Sequence, residues 1–200
     1  HPKYVERRTL SCTSKFRESA VEQIERDGRV VFRNADLRVE SVAVDHTVPC
    51  LAYALIENDT WHPDADALKA GPLPRGPWIG QAIDRLRRGE TDGDIEVDGL
   101  RVSLEALADR YFSERKGAKI AFVTDTLFSE KARKALSPLL RGATRLYCDS
   151  FYSAQHRDKA GKYHHMTATD AATLAKSARV KDLVLMHFAG RYGGEYDRLV

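Results

Sequence analysis

The sequence predicts an α/β protein, a sheet of buried strands covered by helices. Two observations carry that prediction. Several short runs are almost wholly apolar, among them CLAYALI at 50–56, AKIAFV at 118–123 and LVLM at 183–186, as suits strands with both faces covered. Between the later runs lie stretches with helical spacing, and that alternation is the pattern of a sheet wrapped by helices.

Taken in order, KFRESAVEQIER (15–26) sets Phe16, Ala20 and Ile24 at helical spacing and ends at Asp27 and Gly28, which predicts a short helix and a turn. RVVF (29–32) and the alternating LRVESVAV (37–44) predict a hairpin-like pair of strands leading into CLAYALI. From Trp61 to Gly99 the composition changes. This stretch carries Pro63, Pro72, Pro74 and Pro77 and two helical fragments separated by glycines, so residues 61–99 predict an arm inserted into one domain that spans 1–200. After Gly117 the sequence predicts a strand in AKIAFVTD, a helix in LFSEKARKALSPLL, a strand in TRLYCD and a polar loop as far as Tyr163. A helix then opens at Thr167, with Asp170 placed for a capping box and Ala168, Ala171, Ala172, Ala175 and Ala178 forming a small-residue stripe. VKDLVLMHF (180–188) is the last strand.

Composition sets outer limits. A chain of 200 residues, 42% hydrophobic and 30% charged, has room for one sizeable core. No run of about 18 apolar residues is present and the opening HPKYVERRTL has no apolar signal-type region, so a cytoplasmic protein without a membrane segment is expected. Cys12, Cys50 and Cys148 are odd in number and show no metal-type pairing, which predicts reduced thiols. A formal charge of +3 does not by itself declare a nucleic-acid partner, although basic clusters at 85–88 and 131–134 leave room for one.

Four polar positions stand out against the apolar runs: His46 in VDHTVPCLAY, Asp125 in FVTDTL, Asp149 in LYCDSFY and His187 in LVLMHFAGRY. Asp125, Asp149 and His187 fall at or near the C-terminal ends of strands, where α/β sheets present side chains to ligands. Each has a structural alternative. Asp125 could cap the helix read from Leu127, and His46 or His187 could be a core histidine bonded to a backbone carbonyl. Two imidazoles and a carboxylate together suit zinc or manganese.

In order and spacing, these segments resemble ribonuclease Z, the tRNA 3′-end processing endonuclease family of the metallo-β-lactamase superfamily, over residues from about 36 to 192. The resemblance implies an αββα sandwich, represented here mainly by its second lobe. It implies His46, Asp125 and His187 as metal ligands, with Asp125 bridging two zinc ions, or manganese in their place. LYCDSFY and YHHMTA occupy the places of the family's His-Glu-Ala-Thr and His-Ser-Thr loops, which implies Asp149 and His165 as the carboxylate and imidazole that handle a proton, with His164 the neighbouring candidate. Cys148 and Phe151 stand where the family usually has histidine and threonine. LKAGPLPRGPWIGQAIDRLRRGE resembles the family's exosite, which implies a turn at Gly76 and Pro77 and phosphate contacts from Arg85, Arg87 and Arg88; a solvated charged helix face is the alternative for these arginines. The implied activity is metal-assisted phosphodiester hydrolysis on a tRNA precursor by a homodimer. A hydrolase of small phosphodiesters or esters would use the same centre, and a non-catalytic RNA-binding relative would keep the same arm.

The superfamily's His-x-His-x-Asp-His signature does not occur in these residues. His46, Asp125 and His187 alone would form at most a three-ligand site open to water. The expectation is a stretch of a longer hydrolase, with a short relative that has lost catalysis as the alternative.

Overall fold

The computed structural model describes residues 4–25 and 27–193. The backbone divides into two compact units, one formed by residues 1–57 and 118–200 and the other by Asn58–Gly117.

The first unit is built on a six-stranded mixed sheet. Its strands are β3 (Val30–Arg33), β4 (Leu37–Val44), β5 (Cys50–Glu57), β10 (Lys119–Val123), β11 (Arg145–Asp149) and β12 (Asp182–Met186), in the spatial order β12-β11-β10-β5-β4-β3. The last three in sequence are parallel to one another, whereas β3, β4, β5 and β10 are mutually antiparallel neighbours. Helices α4 (Glu130–Leu140) and α6 (Ala168–Ser177) contribute Leu136, Leu139, Leu140, Ala171 and Leu174 to a core shared with Val42, Ala52, Ala54, Ala121, Val123 and Leu146 of the sheet. The expected α/β sheet with helical cover is therefore present. The alternate strand positions Leu51, Tyr53 and Phe122 are exposed, with Phe122 stacked flat on Tyr147 at 4.6 Å, so the helices cover one face of the sheet and these side chains lie on the other.

Thr167 and Asp170 make both bonds of the predicted capping box at the start of α6. In the alanine stripe Ala168, Ala171, Ala175 and Ala178 are buried, but Ala172 is exposed and Leu174 takes the inward position, because the helical period turns position 172 away from the sheet. α4 begins at Glu130 rather than Leu127, and its cap is Ser129, whose Oγ accepts from the Ala132 amide at 3.1 Å. The loop before it is pinned to the β4–β5 turn. Leu127 N donates to the Asp45 carbonyl at 2.7 Å and Ser129 Oγ to the Asp45 carboxylate at 2.8 Å.

Two local readings are corrected. Over the described part of the 15–26 stretch there is no helix: β2 (Arg17–Glu25) pairs antiparallel with β1 (Tyr4–Ser11) in an exposed hairpin, and position 26 lies outside the described residues. Three apolar residues at helical spacing cannot hold a helix without a surface to bury them. The available strand instead offers backbone partners and opposite charges, as in Arg7–Glu22 at 2.6 Å and Arg8–Glu18 at 3.0 Å. The segment read as loop before Tyr163 contains a 3-10 turn (Ala154–His156) and α5 (Arg157–Tyr163). That helix buries only Ala160 and lacks a side-chain N-cap, so it carries almost no amphipathic signal.

The second unit holds β6 (Thr60–Pro63) paired with β9 (Phe112–Arg115), helices α1 (Ala65–Ala70), α2 (Trp78–Arg87) and α3 (Leu104–Tyr111), and the hairpin β7 (Asp94–Val97)–β8 (Leu100–Ser103). Residues 61–99 lie within it. Asp98 and Gly99 turn that hairpin with φ of 50° and 80°, the paired positive values of a type I′ turn. The core of this unit holds an aromatic group among aliphatic residues: Trp78 is 3% exposed, lies edge-on to Tyr111 and Phe112, and donates Nε1–H to the Pro74 carbonyl at 2.7 Å. Gly71 is required by close approach. A Cβ there would stand 2.5 Å from the Tyr111 hydroxyl oxygen and 3.0 Å from the Ala67 carbonyl. Gly71→Ala is expected to destabilise this unit by about 1–3 kcal/mol through overpacking, read by denaturant unfolding. No helix among the described residues is long and apolar enough to cross a membrane.

Candidate metal centre

Strand register brings the polar residues together. β10, β11 and β12 run parallel, so the segments that follow Val123, Asp149 and Met186 emerge along one edge of the sheet. β5 runs antiparallel to β10 with Phe122 opposite Tyr53, and continuing that register past the end of β10 sets Asp125 level with Cys50 at the start of β5. The β4–β5 turn carrying His46 therefore lies at the same edge. The 164–168 segment joins through backbone bonds, Tyr152 N to the Met166 carbonyl and Ala168 N to the Tyr152 carbonyl. Ser150 fastens the β11 loop to the end of β12, its amide and hydroxyl both donating to the Met186 carbonyl.

Asp125 stands at the middle of the cluster. Ligand atoms of Asp125, His165 and His187 lie within 4.8 Å of one another, and so do those of His46, Cys50 and Asp125. His46 and His187 thus belong to different groups joined by Asp125. Asp125 Oδ1 is buried and accepts no hydrogen bond, although His187 Nδ1 is 3.0 Å away. A carboxylate oxygen shielded from water, with imidazole donors close by but off the hydrogen-bonding direction, is what a cation between them would satisfy. The carboxylate, imidazole and thiol donors also suit zinc, so the residues present fit a metal ion.

Asp125 and His187 share a second feature. Asp125, two residues past the end of β10, and His187, directly after β12, hold positive φ, 39° and 61°, a region most side chains avoid. Strain of this kind persists where the surroundings dictate side-chain direction. Asp125 is therefore no helix cap: the cap is Ser129, and the carboxylate is turned into the cluster.

Asp149 is fully buried and its two oxygens have three donors. Oδ1 accepts from the Phe151 amide at 3.0 Å; Oδ2 accepts from the Met166 amide at 3.3 Å and from His165 Nδ1 at 3.0 Å. Because a carboxylate only accepts, His165 carries its proton on Nδ1 and presents Nε2. Phe151 stacks on the same ring at 4.2 Å and 14°, fixing its plane. His46 is oriented likewise: Nδ1 donates to the His164 carbonyl at 2.9 Å, leaving Nε2 as its donor atom. The His164 side chain does not join either donor group; its Nδ1 is buried without a hydrogen bond.

Cys50, which the sequence presents as a thiol without metal-type pairing, is corrected here to a member of the donor group with His46 and Asp125. Its one local signal is the four-residue step from His46 around the turn; the contact with Asp125 depends on strand order. Burial first, and the Asp125 carboxylate second, push its thiol above the ordinary range. All three cysteines are free thiols.

The arginines and turn residues 76 and 77 lie in the second unit. Pro77 caps α2 without a side-chain bond. Arg85 is engaged within that unit, pairing with Glu90 at 2.6 Å and donating to the Asp92 and Asp94 carbonyls, while Arg88 pairs with the same Glu90 at 2.7 Å. Arg87 occupies the last turn of α2.

Together these features define an α/β protein with a carboxylate-centred cluster of imidazole and thiol donors at one sheet edge. The chain is 35% identical over 156 residues to a ribonuclease Z of Deinococcus radiodurans, which covers 78% of this chain and 45% of that protein. It is 31% identical over 182 residues to a ribonuclease Z of Clostridium tetani, covering 90% of this chain and 53% of that one. Over these residues the chain belongs with the ribonuclease Z sequences, and it spans about half the length of the curated relatives it matches. No protein-family model matches it. Human tRNase Z, short form, superposes on 82% of this chain and 41% of its own at 20% identity, with a TM-score of 0.48.

Proposed function

We propose that the protein is a metal-dependent phosphodiesterase acting on RNA, with the 3′ trailer of a tRNA precursor as its substrate. The carrying observation is the carboxylate of Asp125 shared by two donor groups, with the buried Asp149–His165 pair beside it. Its relatives named ribonuclease Z support the RNA substrate. Asp125, His46 and His187 would hold zinc, or manganese, with His165 near enough to ligate or to act on the proton. A metal ion held there supplies Lewis acidity toward a phosphoryl oxygen and toward water. The chain's own part is orientation and proton handling. Asp149 holds His165 by Nδ1 with Nε2 free, the orientation from which the ring can deliver a proton to the departing ribose oxygen. Basic side chains at the end of α2, Arg87 and Arg88, would meet backbone phosphates and make RNA binding salt dependent. The homodimer implied by the resemblance is part of the same proposal and is read by light scattering.

The strand pairing supplies a clean test. β5 and β10 remain paired up to Ile56 and Lys119, and Glu57 N donates to the Ala118 carbonyl at 2.9 Å. Replacing 58–117 by an Asn-Gly hairpin turn therefore leaves both strands in place. Cleavage of a tRNA precursor is expected to fall by about 100-fold or more through loss of remote binding energy, while a small chromogenic phosphodiester is hydrolysed within a few-fold of the parent rate. Equal loss on both substrates would favour a role for the second unit in chemistry; unchanged tRNA cleavage would remove it from substrate binding.

A further inference from the structure

We propose that Cys50 is a metal ligand, its thiolate completing with His46 and Asp125 a cation position chemically distinct from the one at Asp125 and His187. The inference rests on the metal-dependent reading above and adds to it a soft donor. Three placements carry it. The ligand atoms of His46, Cys50 and Asp125 lie within 4.8 Å of one another. Donors around a tetrahedral zinc stand roughly 3–4 Å apart, given metal–ligand bonds of about 2.0–2.3 Å, so a small inward movement of side chains closes the group. The β5–β10 pairing, with Phe122 opposite Tyr53, brings the start of β5 level with the segment that follows β10, where Asp125 lies. Finally, His46 spends Nδ1 on the His164 carbonyl and so offers Nε2, while Asp125 Oδ1 is buried without a hydrogen bond.

The donor sets then differ in kind. Thiolate, carboxylate and imidazole bring two negative charges and a sulfur to one position; carboxylate and imidazole bring a single charge and no sulfur to the other. Soft thiolate favours zinc and cobalt over manganese or magnesium, so the Cys50 position selects thiophilic ions. On binding, the Cys50 S–H bond breaks, its proton passes to solvent, and a sulfur lone pair forms the bond to the ion.

Cobalt(II) added to the metal-free chain tests this, because thiolate ligation produces a near-ultraviolet charge-transfer band that nitrogen and oxygen ligands do not. The band is expected in the parent and in Cys12→Ser, and absent from Cys50→Ser, whose zinc affinity should fall by at least about 10-fold. A companion measurement uses the parent protein alone: zinc should slow alkylation of Cys50 by iodoacetamide at least about 10-fold by occupying the thiolate, while exposed Cys12 reacts at an unchanged rate, both read by peptide mass. Cobalt binding seen in the visible bands without the near-ultraviolet band, a band that survives in Cys50→Ser, or equal alkylation with and without zinc would overturn the ligand and leave the phosphodiesterase reading standing. A thiolate band without RNA cleavage would do the reverse. A chain that takes up no cobalt would overturn both.

Discussion

Asp125→Asn is expected to abolish metal retention by both donor groups and to lower phosphodiester cleavage by about 1000-fold or more, while the fold stays intact. Asp125 is the residue common to both groups. An amide loses the negative charge and replaces one acceptor oxygen by a donor nitrogen, so two positions weaken through one substitution. Little structural cost accompanies this. Oδ1 accepts no hydrogen bond, so none is broken there, and asparagine, like aspartate, adopts positive φ more readily than most side-chain-bearing residues. In chelator the stability change should be within about 0.5 kcal/mol. Alanine would be a poorer probe, because at φ 39° it adds backbone strain to the loss of the ligand. Metal per chain measured by elemental mass spectrometry decides the matter: unchanged metal content in Asp125→Asn would remove Asp125 from the centre.

The second large effect lies at the buried pair. Asp149→Ala leaves the Phe151 and Met166 amides and His165 Nδ1 facing a site from which water is excluded, and is expected to destabilise the first unit by about 3–5 kcal/mol. His165→Ala leaves Asp149 with both amide donors and removes a ring that is 13% exposed, so it should cost less, about 1–2 kcal/mol. Their effects on catalysis should be alike, about 100- to 10,000-fold, if His165 delivers the proton and Asp149 holds it in place. The double variant should then be hardly slower than the worse single one, since each removes the same device. Additive losses would show that the two side chains act separately. Cleavage of a substrate with a more acidic leaving alcohol should recover part of the rate in His165→Ala, a response that mere loss of packing would not produce.

Much of this was legible in the residues. The strands at 50–57, 119–123, 145–149 and 182–186 are short runs rich in apolar residues, and the capping box at Thr167 and Asp170 is a local pattern with a local cause. The exposed hairpin at 4–25 was not legible, because its partner strand, not its own periodicity, decides its conformation. α5 escaped notice because a seven-residue helix with one buried side chain has no apolar face to read. The second unit extends beyond the proline-rich stretch for a similar reason: Phe112–Arg115 is drawn in by pairing with Thr60–Pro63, some fifty residues earlier.

The sequence by itself determined the kinds of atom available: imidazoles at 46, 165 and 187, carboxylates at 125 and 149, each next to a run whose local pattern specifies a strand or a helix. Only the tertiary structure decided which of those atoms meet. His46 and His187 each reach Asp125 in separate groups, Cys50 joins the first because β5 runs antiparallel to β10, and Asp149 turns to His165 rather than to solvent. Local propensity depends on neighbours a few residues away, whereas strand order and register bring together side chains more than a hundred positions apart, and no window along the chain contains that information.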